Sequence, residues 1–243
     1  MFALRTHREL CGIDITRAPI FIVYSGYMCD HYFSASPSTA SRQHTISVTI
    51  RGRDFSVAVD DGVFSNNRVD KGTAVFLHKV PEPFVEPGDT VVDLGCGWGP
   101  LSLALGVEAS QARLIAVDVN ERALALTRAN LREAGLRGEV MEADEALRSI
   151  PDGSVRLLWS NPPIRIGKKA VHSMLESWLA KLSPVGEAFL VVQKNLGADS
   201  LAKWISQLGY DCTKIGSAKG FRILRVAHIG NPWLASDSGD FQD

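Results

Sequence analysis

A short acidic and glycine-rich run, Asp93-Leu-Gly-Cys-Gly-Trp-Gly, is the part of this sequence with the clearest capacity for chemistry. The apolar residues before it predict a buried strand that ends at the acid and gives way to a turn. Glycines after such a strand let the backbone approach a ligand closely, and the helix that follows offers unpaired N–H groups. On its own, this loop indicates only a ligand that carries a nucleoside.

The spacing of the glycines and the position of the acid narrow the identity of that ligand. The spacing Gly95-x-Gly97-x-Gly99 differs from the G-x-G-x-x-G of dinucleotide binders. Asp93 lies two residues before the first glycine, where its carboxylate would repel a pyrophosphate. A cofactor with a cationic amino-acid part and no phosphate fits better. The sequence therefore predicts S-adenosyl-L-methionine as the cofactor and disfavours a nicotinamide oxidoreductase.

Two further acids are placed where they can bind the rest of a nucleoside. Asp118 ends the next apolar strand, and a carboxylate there can accept hydrogen bonds from both ribose hydroxyls. Asp144 follows a weaker strand and is predicted to bind the adenine amino group, with Glu142 as a competing choice. The alternative for Asp118 and for Asp144 is a helix N-cap.

The segment Asn161-Pro162-Pro163-Ile164 follows another apolar strand and is predicted to be the catalytic corner. The side-chain oxygen of Asn161 and the carbonyl oxygen of Pro162 can both accept hydrogen bonds from one NH2 group. Holding both hydrogens aims the nitrogen lone pair at an electrophilic methyl group, so alignment supplies much of the rate. A structural Pro-Pro turn leaving the strand is the alternative, but the shared register with Asp93 and Asp118 favours catalysis.

From residue 90 onward the apolar pattern alternates between strands and helices, which predicts an α/β, doubly wound sheet with an antiparallel element at its C-terminal end. The predicted strands are 91–94, 114–117, 138–141, 155–159, 188–192, 210–215 and 221–227. The predicted helices are 73–79, 101–107, 122–134, 168–182 and 200–208. Residues 45–50 and 55–59 alternate apolar and polar around a turn, which predicts a β-hairpin.

Composition and charge disfavour several classes of protein. The 243 residues are 45% hydrophobic and 22% charged, which is typical of a globular protein with a full core. The net charge of -1 gives no global basic field, although a local patch can still bind nucleic acid. The cysteines form no C-x-x-C pair, which disfavours metal and disulfide frameworks and favours a reducing cytoplasm; they are Cys11, Cys29, Cys96 and Cys212. No apolar run approaches the roughly 18 residues needed to span a membrane.

Several of these motifs resemble those of a known group of enzymes. The run that begins at Asp93, together with Asp118, Asp144 and Asn161-Pro-Pro, resembles the class I S-adenosylmethionine-dependent methyltransferases. A narrower resemblance, over roughly residues 28–228, is to the methyltransferase small family, which includes enzymes that methylate guanine N2 in 16S ribosomal RNA. Its motifs are His31-Tyr-Phe-Ser, Gly62-Val-Phe-Ser, Val69-Asp-Lys-Gly-Thr, Ser160-Asn-Pro-Pro-Ile-Arg-Ile-Gly-Lys and Lys219-Gly-Phe-Arg.

The resemblance implies a Rossmann-like, mostly parallel seven-stranded sheet whose last strand is antiparallel. It also implies a cofactor site in which an N-terminal segment closes over the acids and the glycine loop. The predicted cofactor contacts are Phe64, Ser65, Asp70, Gly72, Thr73, Asp93, Gly95, Gly97, Asp118, Asp144 and Asn161. For the N-terminal members, a turn and a helix cap are the alternative. Ile164 stands where amino methyltransferases often have an aromatic residue, so base stacking is either lost or supplied by Phe64, Phe221 or Trp98.

Basic residues near the corner are predicted to hold RNA phosphates around a flipped-out base. Arg165 and Lys168 follow the prolines, whereas Lys194, Lys219 and Arg222 fall on loops expected to approach them; ordinary solvated side chains are the alternative. The predicted function is methylation of an exocyclic amine, with guanine N2 of 16S ribosomal RNA, free or in the ribosomal subunit, as the acceptor. A protein glutamine-amide N-methyltransferase and a non-catalytic S-adenosylmethionine-binding module are the alternatives.

Four segments are predicted along the chain. Residues 1–27 are expected to be a disordered leader, because Met28-Cys-Asp-His-Tyr-Phe-Ser resembles the opening of the family. Residues 28–80 form an N-terminal extension with the hairpin and a cofactor-covering loop, and residues 81–228 form the methyltransferase domain. Residues 229–243 are polar and acidic and predict a disordered tail.

Overall fold

The computed structural model describes residues 42–61, 63 and 68–232, which form a two-stranded and a seven-stranded sheet with helices. The strands are β1 (Gln43–Ile50), β2 (Arg53–Asp60), β3 (Thr90–Leu94), β4 (Arg113–Asp118), β5 (Glu139–Glu142), β6 (Val155–Ser160), β7 (Leu182–Gln193), β8 (Tyr210–Ala218) and β9 (Phe221–His228). The α-helices are α1 (Lys71–Lys79), α2 (Pro100–Glu108), α3 (Glu121–Glu133), α4 (Ala143–Ser149), α5 (Lys168–Leu179) and α6 (Ala198–Gln207). Short 3-10 turns follow β6 and β7 at Ile164–Ile166 and Lys194–Leu196.

The large sheet is doubly wound, as the alternation of strands and helices predicted. Its strand order is β5-β4-β3-β6-β7-β9-β8. Strands β3 to β7 are parallel, and β9 is antiparallel to both of its neighbours. The chain runs outward from β3 to β5 and then crosses back to β6, so the strand order reverses between β3 and β6. Ligands bind outside the carboxyl ends of the strands at such a reversal, which places a site beside β3, β4 and β6.

Successive residues of the central strands point to opposite faces of the sheet and so build two cores. Trp159 of β6 packs edge-to-face on Phe76 of α1, with ring centroids 5.2 Å apart. Leu158 belongs to the core on the other face, together with Leu175 and Trp178 of α5. Because both faces are covered, the central strands are almost continuously apolar. The helix α1 therefore packs into the same core as the large sheet.

The boundary between helix α5 and strand β7 lies earlier in the chain than predicted. The helix ends at Leu179, because Leu182, which fits the helical period, pairs with Val155 at the start of β7. The strand therefore has 12 residues, whereas only 188–192 were predicted. A Cβ added at Gly186 would lie 2.5 Å from the Val155 carbonyl oxygen. This glycine permits a close strand contact that the apolar pattern does not reveal.

Two further boundaries differ from the prediction. Helix α4, absent from the predicted helices, begins directly after β5. Glu142 caps it by accepting hydrogen bonds from the backbone N–H groups of Asp144 and Glu145, at 2.8 and 3.2 Å. Since the strand passes into the helix without Gly or Pro, the sequence carries no turn signal there. Strand β8 continues to Ala218, so the connection to β9 is the turn at residues 219–220.

Two polar side chains link the hairpin of β1 and β2 to neighbouring helices and to the glycine loop. The buried Asn130 of α3 accepts a hydrogen bond from Ala58 N at 2.7 Å and donates to the carbonyl oxygens of Ala58 and Trp98, at 3.0 and 2.7 Å. Arg51, in the hairpin turn, donates to two carbonyl oxygens at the C-terminal end of α1, at 2.8 and 3.1 Å. It also pairs with Glu108 of α2. The hairpin is thus linked to the glycine loop and to α1.

Several predictions fall outside the described residues. These are the leader 1–27, the part of the extension before residue 42, the loop residues Phe64 and Ser65, and residues 233–243 of the tail. The division into four segments therefore stays a prediction. Within residues 42–61, 63 and 68–232, no helix is both long enough and apolar enough to cross a membrane.

Candidate active site

The carboxyl ends of β3, β4 and β6 bring together polar residues that are distant in sequence. Leu94 of β3 pairs with Val117 of β4 and with Ser160 of β6. Asp118 and Asn161 directly follow these two partners, so both side chains begin at the same level of the sheet. The structure therefore brings these two predicted site residues to one edge, next to the loop that follows β3.

The loop after β3 leaves room for a ligand at two of its three glycines. Gly95, Gly97 and Gly99 have φ values of 81°, 60° and 94°, a conformation that favours glycine. The backbone N–H of Gly95 donates to the Val117 carbonyl oxygen at 2.8 Å, which ties the loop to β4. A Cβ added at Gly95 or Gly97 would meet open space, whereas one at Gly99 would lie 3.1 Å from Thr127 Oγ1. A ligand can thus approach the first two glycines, while the third packs on α3.

Asp118 supports the loop and keeps acceptor capacity for a ligand. Its Oδ2 accepts a hydrogen bond from Gly97 N and its Oδ1 accepts one from Asn120 N, both at 2.9 Å. Burial raises the pKa of Asp118, and the backbone N–H donors oppose that shift. A carboxylate has about four lone-pair positions, so Asp118 keeps acceptor capacity for a ribose hydroxyl. The N-cap of α3 is Asn120, so the helix-cap alternative for Asp118 is wrong.

Asp93 is fully buried and only partly satisfied. Its Oδ2 accepts a hydrogen bond from Ser102 Oγ at 2.5 Å, while its Oδ1 is buried with no hydrogen-bond partner in the protein. Burial raises the pKa of Asp93 to about 7; the Ser102 hydrogen bond opposes the shift and the charge of Asp118 adds to it. A buried acceptor without a donor is unfavourable. A buried acidic acceptor of this kind fits a cofactor that has a cationic amino-acid part and no phosphate.

Two acids at the end of β5 and the start of α4, Glu142 and Asp144, were considered for binding adenine or capping a helix. Glu142 pairs with Asp118 in the register of β4 and β5, and its carboxylate caps α4. Asp144 is exposed in the first turn of that helix, and the cap is supplied by Glu142 instead. The structure therefore places Asp144 beside the cofactor edge with its carboxylate outside the cap. Its contact with adenine stays a prediction.

Asn161 is held by two acceptors from the N-terminal part of the chain. Its Nδ2 donates to Asp70 Oδ2 and to Thr73 Oγ1, each at 3.1 Å. Asp70 is also the N-cap of α1 and accepts hydrogen bonds from Gly72 N at 2.7 Å and Thr73 N at 3.1 Å. Because the amide NH2 group faces α1, the side-chain oxygen of Asn161 faces away from it. Four of the predicted site residues therefore meet in one cluster.

The two prolines form a rigid turn after Asn161. Pro163 has φ -76° and ψ 73°, the conformation at the centre of an inverse γ-turn. In that turn the Ile164 N–H donates to the Pro162 carbonyl oxygen at 2.8 Å. The bond fixes the direction of the carbonyl, and its second lone pair can accept another hydrogen bond. Two acceptors, Asn161 Oδ1 and the Pro162 oxygen, thus belong to neighbouring residues of a fixed corner.

The aromatic residues predicted to compensate for Ile164 have different positions. Phe221, half-buried at the start of β9, packs on Gly72, where an added Cβ would lie 2.9 Å from the ring carbon Cε1. Trp98 is 2% exposed and belongs to the core, so the stacking role suggested for it is wrong. Phe64 lies outside the described residues. Among the candidates for base stacking within the described residues, Phe221 therefore lies next to the Asn161 cluster.

Four of the predicted basic residues are exposed, in two pairs around the corner. Arg165 and Lys168 lie directly after the prolines. The backbone N–H of Lys194 donates at 2.8 Å to a carbonyl oxygen of the β8–β9 turn, which carries Lys219. This hydrogen bond brings the loop after β7 against that turn. The two pairs therefore flank the end of β6 and the end of β7.

Arg222, the fifth basic residue, is already engaged. Its guanidinium forms an ion pair with Asp199 in the first turn of α6, and its side chain is 23% exposed. Neither Asp199 nor Ser102, which binds Asp93, was predicted from the sequence. Both are contacts between elements rather than parts of a motif, so only the fold could reveal them.

Two surface clefts lie away from this edge. One lies at the hairpin turn and is lined by residues that include Arg51, Phe55 and Glu108, and the other lies around Leu182 and His228. Neither contains the buried acid, the open glycines or the oriented amide, so we assign the site to the sheet edge on its chemistry. In the part of the chain that the structure describes, no group of His, Cys, Asp and Glu side chains could hold a metal ion.

Comparisons with known proteins agree on a family. The model of the methyltransferase small domain matches residues 54–225. YbxB, an uncharacterized protein of Bacillus subtilis, is 32% identical over 203 residues, which cover 83% of this chain and 100% of that protein. The ribosomal RNA small subunit methyltransferase C of Pseudomonas entomophila is 34% identical over 201 residues, which cover 81% of this chain and 58% of the relative. The chain thus spans little more than half the length of that methyltransferase.

Solved structures confirm the fold. The T. thermophilus 16S rRNA N2 G1207 methyltransferase (RsmC), in complex with AdoMet and guanosine, superposes with a TM-score of 0.62 at 22% identity. The match covers 79% of this chain and 52% of that one. M. jannaschii TYW2 in complex with AdoMet gives a TM-score of 0.51 at 15% identity, covering 77% of this chain and 86% of that one. At these identities the likeness concerns the doubly wound fold alone.

Proposed function

This chain belongs to the methyltransferase small domain family and is an S-adenosyl-L-methionine-dependent methyltransferase, and we propose that it methylates guanine N2 of ribosomal RNA. The orientation of Asn161 is the observation that carries the proposal. Its NH2 group donates to Asp70 and Thr73, so its side-chain oxygen is left to accept a hydrogen bond from an acceptor substrate. Together with the Pro162 carbonyl oxygen, it forms a pair of acceptors suited to one NH2 group.

The chemistry of methyl transfer requires mainly alignment from this corner. The cofactor supplies an electrophilic methyl carbon bonded to a sulfonium. An exocyclic amine that donates one hydrogen to Asn161 Oδ1 and the other to the Pro162 oxygen presents its lone pair out of the plane of the base. Fixing that geometry turns a bimolecular encounter into an effectively unimolecular step. The nitrogen gains the methyl group as the bond between that carbon and the sulfur breaks, and the electron pair leaves with the sulfur as a neutral thioether. The nitrogen also loses one proton to solvent, so no side-chain base is required.

The cofactor contacts that we propose come from the chain's own backbone and acids. Gly95 and Gly97 would let the cofactor lie against the loop after β3, and Asp118 would accept the ribose hydroxyls. The buried carboxylate of Asp93 would supply negative charge that favours the cationic amino-acid part. Asp144 is the proposed partner of the adenine amino group.

Three observations support RNA over protein as the acceptor. The two pairs of exposed basic residues lie after the corner and at the end of the neighbouring strand β7, where they suit the phosphates next to a flipped-out base. The ring of Phe221 lies beside the Asn161 cluster, where it would provide the planar contact that Ile164 does not. Relatives of this chain are named as ribosomal RNA methyltransferases. A ribosomal RNA acceptor would also place the protein in the cytoplasm.

Transfer of a labelled methyl group separates this function from its alternatives. The full chain is incubated with methyl-labelled cofactor and, separately, with unmodified 16S transcript, assembled small subunits and total protein. We expect label in the RNA, recovered after digestion as N2-methylguanosine. Label in protein alone, on glutamine, would replace RNA by an amide acceptor. Calorimetric cofactor binding without transfer to any acceptor would leave a non-catalytic binding module.

A further inference from the structure

We propose that Asp70 is a positioning residue that sets the orientation of the Asn161 amide, with Thr73 completing its hold. Both residues were predicted as cofactor contacts, which stays a prediction, and in the structure both side chains accept a hydrogen bond from Nδ2 of Asn161. The proposal rests on the proposed function, because it concerns the same corner. It makes the start of α1 part of the machinery that aligns the acceptor.

The hydrogen bonds of Asp70 exceed what a helix cap requires. Its Oδ1 accepts from Gly72 N, while its Oδ2 accepts from Thr73 N and from Asn161 Nδ2. A neutral side chain such as Ser or Asn caps a helix about as well as Asp. An asparagine at position 70, however, would turn its own NH2 group either toward Gly72 N–H or toward Asn161. Only a carboxylate can accept from both sides, which points to the contact with Asn161 as its reason.

The same contacts distinguish the two orientations of the Asn161 amide. The NH2 group carries two hydrogens, and Asp70 Oδ2 and Thr73 Oγ1 are the two acceptors that it meets. A flipped amide would place its oxygen against the Asp70 carboxylate, and two acceptors would then repel each other. The observed orientation leaves Oδ1 facing the acceptor substrate. Asp70 therefore acts on the substrate through Asn161.

The packing around Asp70 keeps the cluster from shifting. Thr73 is 4% exposed and Gly72 is also buried. The ring of Phe221 lies so close to Gly72 that an added Cβ would be 2.9 Å from Cε1. The first turn of α1 thus packs against the ring and is hydrogen-bonded to the residue that follows β6, so we expect a change at Asp70 to alter the hydrogen bonds more than the backbone.

Asp70→Asn tests the proposal, because it keeps a helix cap and removes an acceptor. Single-turnover rates are measured at saturating cofactor, with whichever acceptor takes the methyl group in the transfer experiment. We expect the rate to fall about 30-fold, as for a misaligned reacting group, while the cofactor dissociation constant changes less than about 3-fold. In the Asn161→Ala background, Asp70→Asn should cause no further loss. An additional loss there, or a parallel loss of cofactor affinity, overturns the proposal.

Matched variants separate positioning from folding. Thr73→Val should lower the rate about 5-fold, and Thr73→Ser, which keeps the hydroxyl, should restore it. Asp211→Asn in β8, the edge strand of the sheet, is the control and should leave rate and melting temperature unchanged. A melting temperature that falls in step with the rate across the Asp70 and Thr73 variants would reduce Asp70 to a helix cap and overturn the proposal.

A spectroscopic measurement keeps the result independent of activity. The NMR signal of the Asn161 side-chain amide, assigned by its loss in Asn161→Ala, should show slow hydrogen exchange in the unchanged protein. Asp70→Asn should abolish that protection without lowering the melting temperature. Fast exchange in the unchanged protein would contradict the hydrogen bonds from the Asn161 amide to Asp70 and Thr73, and so overturn the proposal. Absence of methyl transfer with a protected amide would instead refute the proposed function and leave the Asp70 contact intact.

Discussion

The two halves of the site are fixed by different means. The proposed cofactor half consists of Asp93, Gly95, Gly97 and Asp118, and it is built from a backbone loop and from acids at the carboxyl ends of two adjacent strands. The acceptor half, formed by Asn161 and its partners from α1, depends on a contact between residues 91 positions apart. Under the proposed function, cofactor recognition is thus largely a local property of the chain, whereas acceptor alignment is a tertiary one.

The largest effect is expected in the acceptor half. Asn161→Ala removes one of the two acceptors for the substrate NH2 group, and the single-turnover rate should fall by about 10³-fold, the loss typical of an oriented hydrogen bond at a reacting group. The cofactor dissociation constant should change less than about 3-fold, because the glycine loop and Asp118 are untouched. The two quantities are measured by quenched-flow methyl transfer and by calorimetry.

Gln207→Ala, a change from amide to alanine at the exposed end of α6, is the control for Asn161→Ala and should leave both quantities unchanged. Equal loss of rate and of cofactor affinity in Asn161→Ala would mean that the two halves are one unit. In that case the comparison between a local and a tertiary half would not hold.

The second-largest effect is expected in the cofactor half, where a substitution should weaken cofactor binding and leave the rate at saturating cofactor almost unchanged. Asp118→Ala removes the proposed ribose acceptor and the bond that holds Gly97 N. Since hydrogen bonds to a charged group contribute about 1.5–3 kcal/mol each, the cofactor dissociation constant should rise about 100-fold. At saturating cofactor the rate should stay within about 3-fold. Asp211→Ala is the control, and a large rate loss at saturation would contradict the separation of the halves.

The same difference explains what the sequence could and could not predict. The glycine loop, Asp118 and the corner after β6 follow apolar strands directly, so strand pattern and spacing placed them at one edge. Asn161 was expected to accept hydrogen bonds, but its partners Asp70 and Thr73 were predicted to bind the cofactor. Nothing local to α1 indicates which distant strand end it meets. That contact depends on how the helix packs against the sheet.

Among the elements of the fold, errors occurred where local signals were weak or conflicting. Leu182 fits the period of α5, but its pairing with Val155 starts β7 there. Strand β5 passes into α4 without a glycine or proline, so α4 was not among the predicted helices even though a helix cap was the alternative for Asp144. Trp98 looks available for stacking because it lies in the loop, yet its ring is buried in the core. Side-chain direction in an irregular loop is set by packing, which spacing does not encode.

The buried acid of the cofactor half should give the protein a characteristic pH dependence of stability. Burial raises the pKa of Asp93 from 3.8 to about 7, so between these values the folded protein binds more protons than the unfolded chain. On this account stability is greatest below pH 3.8, falls as the pH rises from there to about 7, and levels off above about 7. The decline approaches about 1.4 kcal/mol per pH unit for one proton. Asp118 contributes in the same direction.

Asp93→Asn isolates that dependence, because it keeps the side-chain size and cannot ionise. Denaturant unfolding at several pH values between about 5 and 8 gives the free energy of unfolding for both proteins. As the pH rises, the free energy of unfolding of the variant should increase relative to that of the unsubstituted protein. Only the unsubstituted protein must ionise a buried carboxyl group. Curves that stay parallel over this range would mean that Asp93 titrates in the folded protein as it does in the unfolded chain.

The smallest effects on methyl transfer are expected from the exposed basic residues of the acceptor half. Their proposed contacts with RNA phosphates would contribute to RNA binding but not to the alignment of the amine. Arg165→Gln and Lys168→Gln should each raise the KM for RNA a few-fold and leave the saturated rate unchanged. Each should also lower the slope of log affinity against log salt by about 0.7, the value for one phosphate contact on a single strand. Arg137→Gln, exposed between α3 and β5, is the matched control. An equal change of the salt slope in Arg137→Gln would mean that the basic residues act through the overall charge of the protein rather than through local phosphate contacts. Only the Asn161 cluster would then distinguish the acceptor half from the rest of the surface.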